Sequence, residues 1–224
     1  MYRIIADEAD FLLIDKAPGV HFHSQDGSAG VVAQAESDLG IKLYSVHRLD
    51  TLTSGLIILA KSSAAAAEFT ELFSQHGVQK YYLALARGKP KKKQGKIAGD
   101  MAKSRRSQYK LLRTMENPAV TQFVSASVAE GLRAYLLRPL TGKTHQLRVA
   151  LASLGTPILG DALYGGAPSD RGYLHAWQLE FQFRGQEYRF ETKPSVGEEF
   201  TSEALSQLLE NDWRAPSSLD WPGR

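Results

Sequence analysis

The apolar positions of this chain fall in short blocks, most of strand length, punctuated by glycine, proline and paired polar residues. Residues 2–6 and 11–15 read as two strands joined by the acidic turn Asp7-Glu8-Ala9-Asp10, and Pro18-Gly19 breaks the run that follows. Val31, Val32, Ala35 and Leu39 recur at helical spacing before Gly40, which predicts an amphipathic helix over 30–39 with a glycine stop. A buried strand is expected at 56–61. Ser62 or Ser63 then caps a helix whose inner face is Ala65, Phe69, Leu72 and Phe73, ending near 76–77. The strand expected at 78–86 alternates imperfectly, which implies cover on both faces, and the lysine-rich, proline-interrupted 88–95 is too polar for anything but a loop. Three more strands are expected at 107–115, 121–129 and 132–139, separated by Asn117-Pro118 and Glu130-Gly131. A second clear helix covers 144–154, with Leu147, Ala150, Leu151 and Leu154 on one face and Gly155 and Pro157 to stop it. After a loop at 160–166, residues 174–183 and 187–192 form a hairpin across Arg184-Gly185-Gln186, and 200–209 is a last helix.

Sequential strands with tight turns favour antiparallel neighbours. The expected class is α+β: one domain over 1–224 on an extended mixed, mostly antiparallel β-sheet flanked by helices and loops, with a central cleft. Its halves read as two lobes of one sheet, without a dividing linker or an internal repeat.

Composition narrows the class. With 43% hydrophobic and 23% charged residues over 224, the chain has the makings of an ordinary soluble core. The first ten residues lack a secretory apolar run, and nothing approaches the roughly 20 apolar residues that span a bilayer. With no cysteine there are no disulfides and no thiolate metal sites, which fits a cytoplasmic location. The net charge of +3 says little, but its distribution says more. Between Lys80 and Arg113 lysines and arginines are opposed by Asp100 alone, whereas the last quarter is acid-rich. That separation is the footprint expected of a polyanion partner, although a solvated loop would look the same.

Candidate chemistry centres on the stretch His47-Arg48-Leu49-Asp50-Thr51-Leu52-Thr53-Ser54-Gly55-Leu56. A carboxylate between an arginine and two hydroxyl residues, just before a buried strand, reads either as a reactive group at a sheet edge or as a turn cap paired with Arg48. Farther on, Lys80-Tyr81-Tyr82 places adjacent tyrosines on opposite sides of a strand, so one of them can offer a ring to a nucleic-acid base. At the second helix, His145 and Arg148 stand three apart, off the leucine face, with the arginine free to point away from the core. A metal site among the six histidines, with His21 and His23 as the nearest pair, lacks any helical ligand spacing, so no metal is expected. Serine-hydrolase elbows and glycine-rich phosphate loops are missing as well.

The stretch 47–56 resembles the signature loop of the RluA-type pseudouridine synthases. The resemblance continues through Lys80-x-Tyr82-x-Ala84, through the run from Leu140 to Val149, through Gly155-x-Pro157-Ile158-x-Gly160-Asp161-x-x-Tyr164-Gly165 and through Leu174-His175-Ala176, covering nearly the whole chain. It implies an isomerase that converts uridine in tRNA or ribosomal RNA to pseudouridine, with Asp50 as the catalytic aspartate, Tyr82 as the ring on the target uracil and Arg148 as the ion-pair partner of Asp50. Arg48 would help hold the flipped uridine, with His47, Thr53, Leu147 and Lys80 also on the substrate side. Lys91, Lys92, Lys93, Arg105, Arg106 and Lys143 would meet the RNA backbone. Three routes stay open to Asp50: attack on the sugar, attack on the base, or removal of a sugar proton.

An isomerisation needs no redox step and no group donor, so no cofactor is expected; a monomer acting on an RNA stem-loop, away from membranes, is. The chain departs from the family pattern at Lys16-Ala17-Pro18-Gly19, at Lys143 in place of arginine and at Ala150 in place of histidine. The chain is also expected to lack the small RNA-binding domain that many relatives carry in front, because catalytic-domain sequence begins almost at its first residue. Two rivals remain: a binding module that keeps the fold but not the reaction, and a carboxylate-dependent glycosidase. The second would need another acid, for which Asp161 is the nearest suspect.

Overall fold

The computed structural model describes residues 1–223. The chain forms strands β1 (Tyr2–Asp7) and β2 (Phe11–Lys16), helix α1 (Val31–Leu39), strands β3 (Tyr44–Ser45) and β4 (Ser54–Ala60), helix α2 (Ser63–Ser74) and strand β5 (Val78–Arg87). Strands β6 (Gln94–Gly99), β7 (Met101–Lys103), β8 (Tyr109–Leu111), β9 (Ala119–Ala129) and β10 (Leu132–Pro139) follow, then helix α3 (Gln146–Ser153), strands β11 (Leu174–Phe183) and β12 (Gln186–Glu191), and helix α4 (Glu203–Glu210). Strands with both parallel and antiparallel neighbours, and four α-helices among the described residues, make this an α+β fold. None of these helices is long and apolar enough to cross a membrane.

The chain divides into two compact units, each assembled from two stretches: Met1–Lys80 with His175–Pro194, and Tyr81–Leu174 with Ser195–Arg224. In the first, β1 pairs antiparallel with β2, β2 antiparallel with β4, β4 parallel with β11 through His175↔Ser54 and Ala176↔Gly55, and β11 antiparallel with β12. Every residue of β2 and β4 is buried, the apolar runs Phe11–Ile14 and Leu56–Ala60 together with the polar Asp15, Lys16 and Ser54. The core of this unit gathers Phe11, Phe69, Phe181 and Phe183 with aliphatic residues of β4, and α2 covers it from one side. Ser62 accepts the Ala65 N–H and so caps α2, while α1 stops at Gly40 in the left-handed conformation (φ 64), both as the sequence predicts.

In the second unit the strand order is β5-β10-β9-β6, all antiparallel, and β7 and β8 form a separate two-stranded arm. Here three expectations are corrected. The polar run taken as a loop over 88–95 passes into β6, whose ladder to β9 runs from Gln94↔Val124 to Gly99↔Ala119. The strand expected over 107–115 shrinks to Tyr109–Leu111, because Arg106 and Ser107 turn through left-handed backbone (φ 54 and 61) just before it. The helix expected at 200–209 is broken: a 3-10 turn at Glu199–Thr201 ends where Ser202 caps α4 by accepting the Leu205 N–H. The hairpin turn is also shorter than expected, since Phe183 faces Gln186 and only Arg184 and Gly185 (φ 50 and 80) lie between.

Candidate active site

In the first unit the stretch 47–56 leaves β3 as a loop and enters β4. The Thr53 N–H donates to the Asp50 carbonyl at 3.0 Å, so half-buried Asp50 opens a closed turn. The backbone beyond it is pinned from below by Lys16, which is 0% exposed and whose Nζ donates to the carbonyls of Ala17, Val20 and Thr51 at 3.0, 2.7 and 3.2 Å. A buried ammonium demands such acceptors, so the lysine locks the Pro18-Gly19 turn against the loop. The Gly19 N–H reaches the same Thr51 carbonyl at 2.9 Å, and the Thr51 hydroxyl meets His21 Nδ1 at 2.9 Å.

His47 fixes the other side of the turn. Its Nε2 accepts the Ile58 N–H at 2.8 Å and its ring stacks on Phe73 at 4.6 Å. An accepting Nε2 leaves the proton on Nδ1 and the ring neutral. Burial, and then the charge of Lys80, push its pKa from 6.5 to about 3, and burial lowers that of Lys80 in turn.

Ser54 and His175 bridge β4 and β11, with Ser54 Oγ 2.7 Å from His175 Nδ1 and His175 Nε2 2.6 Å from the Thr192 carbonyl. Because a carbonyl only accepts, Nε2 carries the proton and the serine hydroxyl donates to Nδ1. The buried pair therefore braces two strands. Thr192 continues the chain of bonds to buried Asp15, which also pairs with Arg3 at 2.6 Å. Gly55 (φ 112) lies so close to β11 that a Cβ there would stand 2.2 Å from the Ala176 carbonyl oxygen. Of the other candidates on this loop, Thr53 is buried and Arg48 is exposed.

In the second unit Tyr81 and Tyr82 are both buried on β5: Tyr81 stacks on Trp221 with ring centroids 6.0 Å apart, and Tyr82, at 9% exposure, stands opposite Leu137 of β10. The expectation that Arg148 points away from the core is corrected. Residues 146–151 are buried all round α3, and Arg148 is 8% exposed. Asp161 supplies the counter-charge that such burial requires: Arg148 Nε and Nη2 donate to its two carboxylate oxygens at 2.7 and 2.8 Å, a bidentate fork. The guanidinium also lies 5.2 Å from the centre of the Tyr164 ring. His145 sits at the helix cap in left-handed backbone (φ 56), with Nδ1 2.7 Å from the Tyr164 hydroxyl. Gln146 is satisfied at every polar atom, accepting from Thr141 Oγ1 and the Lys143 N–H and donating to the Val120 carbonyl and Thr121 Oγ1. Leu147 is buried beside it.

The basic candidates do not gather on one element. Lys91 donates its Nζ to the Ser153 carbonyl at 3.0 Å and so caps α3, while Lys92 and Lys93 beside it are exposed. Arg105 and Arg106 are exposed at the tip of the β7–β8 arm, and Lys143 is half-buried before α3. Among the described residues no group of three or more His, Cys, Asp or Glu is placed to hold a metal; His21 is bonded to Thr51 and His23 is exposed.

The roles of Lys16, Asp161 and Tyr164 escaped the sequence reading. The latter two lie in a string that the resemblance had already marked, Gly160-Asp161-x-x-Tyr164-Gly165, where Asp161 was weighed as a second acid rather than as the partner of an arginine. The signal for Lys16 was a lysine closing a strand that opens on the apolar run Phe11–Ile14.

Residues 10–153 match the family model described as RNA pseudouridylate synthase. A Haemophilus influenzae protein named as an uncharacterized RNA pseudouridine synthase is 48% identical over 199 residues, 88% of this chain and 89% of its own. A ribosomal large subunit pseudouridine synthase C of Rickettsia bellii is 31% identical across 85% of this chain and 67% of its own, and a tRNA pseudouridine synthase C of Yersinia pestis is 28% identical across 100% and 93%. The solved structure of human RNA pseudouridylate synthase domain containing 1 superposes with a TM-score of 0.78 at 25% identity, covering 100% of this chain and 97% of that one. The signature loop and the framework around it thus share one lineage, and the chain belongs to the RNA pseudouridylate synthase family, isomerases that act on RNA.

Proposed function

We propose that this chain isomerises specific uridines of tRNA or ribosomal RNA in the cytoplasm, with Asp50 as the catalytic carboxylate, Tyr82 as the ring against the target uracil and Arg148 as the ion-pair partner of the carboxylate. The observation that carries this reading is the construction of the loop. Lys16, His47, Thr53, Ser54 and Gly55 are committed to fixing the backbone around a single acid, Asp50, that is itself only half-buried. A turn cap has no need of such support. The names of the Rickettsia and Yersinia relatives favour ribosomal RNA and tRNA as the substrate classes.

The reaction balances within the RNA. The bond from uracil N1 to ribose C1′ breaks, a bond from C5 to C1′ forms, C5 gives up its proton and N1 takes one. Breaking the glycosidic bond builds positive character on the sugar, which a nearby carboxylate stabilises or captures. In this reading Arg148, itself oriented by Asp161, is the ion-pair partner of Asp50. Exposed Arg48 suits the task of holding the uridine out of its stack, a displacement costing a few kcal/mol. In this reading phosphate contacts from Lys92, Lys93, Arg105, Arg106 and Lys143 offset that cost.

The test uses RNA from cells deleted for the gene. The purified protein should restore pseudouridine at one or a few positions, and Asp50→Ala should lower the rate at least about 10³-fold while RNA affinity and melting temperature hold. Deletion-strain RNA that has lost no pseudouridine, and on which the pure protein is inert, would sink the reading.

A further inference from the structure

The arm formed by β7 and β8 ends in backbone that side chains rarely adopt: Arg106 and Ser107, consecutive and both non-glycine, have φ of 54 and 61. The turn leaves Arg105 and Arg106 exposed at the tip. The two residues that follow are tied down. Gln108 Nε2 donates to the Leu163 carbonyl at 2.6 Å, and the Tyr109 N–H donates to the Tyr164 hydroxyl at 2.9 Å. That same hydroxyl lies 2.7 Å from His145 Nδ1 at the head of α3, and the Tyr109 ring stands edge-on to the His145 ring. On its other side the Tyr164 ring faces the Arg148 guanidinium, which is held by Asp161, three residues before Tyr164 in the chain. Tyr164 therefore touches the arm, the helix cap and Arg148 at once.

We propose that Tyr164 is a positioning residue that docks the arginine-tipped arm against α3, so that one side chain sets both the grip on RNA phosphates and the seating of Arg148. The inference rests on the reading that the chain acts on RNA through Arg148. Without the Tyr164 hydroxyl the arm loses its backbone anchor beside the tip, and the two arginines no longer stand where a phosphate would find them together. The helix cap loses its partner in the same step.

The test turns on charge. Tyr164→Phe removes a hydroxyl and no charge, so it alters the salt dependence of RNA binding only if it displaces groups that carry charge. Affinity for bulk RNA from the gene-deleted strain is measured between about 50 and 200 mM salt. Arg105→Ala with Arg106→Ala should flatten the slope of log affinity against log salt by about 1.4–1.8, the loss of two phosphate contacts. Tyr164→Phe should flatten it by a similar amount, and the triple variant no further. In turnover, Tyr164→Phe should lower kcat as well, whereas the paired arginine variant should raise KM alone. A wild-type slope in Tyr164→Phe, or additive slopes in the triple variant, would overturn the proposal. Should Tyr164→Phe fail to fold, Gln108→Ala decides, because it frees the same arm and leaves Tyr164 in place: a flattened slope with unchanged kcat supports the docking, and an unchanged slope overturns it. Binding slopes are read without turnover, so a protein inert on every RNA would count against the role of Asp50 and leave these slopes to judge Tyr164.

Discussion

At the scale of single residues, His47 shows how a polar side chain in the signature loop serves the fold through its protonation state. Its Nε2 must stay unprotonated to accept the Ile58 N–H, and burial, with the charge of Lys80, holds its pKa at about 3. In the unfolded chain the same imidazole takes up a proton near its ordinary value of 6.5. Between those two values the unfolded state binds one proton more, so the stability contributed by His47 is complete above pH 6.5 and is lost progressively as pH falls toward 3. Carboxylates whose pKa values hydrogen bonds hold low, such as Asp100 and Asp170, add their own loss in more acid solution. His47→Gln keeps an acceptor for Ile58 and removes the titration. Urea midpoints followed from pH 7 down to about pH 5, above the carboxylate range, should fall in the wild type and stay nearly level in the variant. Parallel curves would show that His47 does not titrate in this way.

At the scale of elements, the loop depends on the parallel pairing of β4 with β11 in the first unit. Ala176 of β11 lies against Gly55 so closely that a side chain there meets backbone rather than a movable side chain, and φ of 112 is itself strained for any other residue. Gly55→Ala should thus cost on the order of 3–4 kcal/mol, read as a lowered urea midpoint, because β4 and β11 must part where the loop enters the sheet. A variant as stable as the wild type would mean that the pair separates freely. This contact was not legible in the sequence. The residues it joins are as distant as Ser54 and His175, 121 positions apart, and a parallel pair leaves no turn between its strands to announce it. Local signals fared better: β10 has the bounds its pattern predicts, and α1 ends at its glycine. Where local signal misled, it was outvoted. Strand β6 carries few apolar side chains and is held by its ladder to β9, so the neighbouring lysines dominated the reading. The candidate site could be named in the sequence only as a string of residues around Asp50 and Arg148, and the packing that supports those residues could not. That Lys16 is buried under Thr51, and that Asp161 answers Arg148, are facts of packing between separate segments, which no local pattern announces.

At the scale of the whole molecule, the chain builds each of its two units from separated stretches, so the last residues complete a body begun at Tyr81. The closing group is Trp221, 1% exposed, whose ring stacks on Tyr81 and lies under the Arg138 guanidinium at 5.8 Å, and whose Nε1 donates to the Pro216 carbonyl at 2.8 Å. Gln122 of β9 adds a bond to the Pro222 carbonyl, so the C-terminal segment is fastened to the strands rather than trailing from them. Tyr81 directly precedes Tyr82 on β5, with its side chain on the opposite face, so the indole backs the strand that presents the proposed stacking ring. Trp221→Ala leaves a cavity of aromatic size and should cost about 3–5 kcal/mol, measured by urea unfolding. The loss should appear in the second unit first, as earlier hydrogen exchange in β5 and β10 than in β2 and β4. Uniform exchange across all four strands would show instead that the C-terminal segment stabilises the whole chain as one cooperative body.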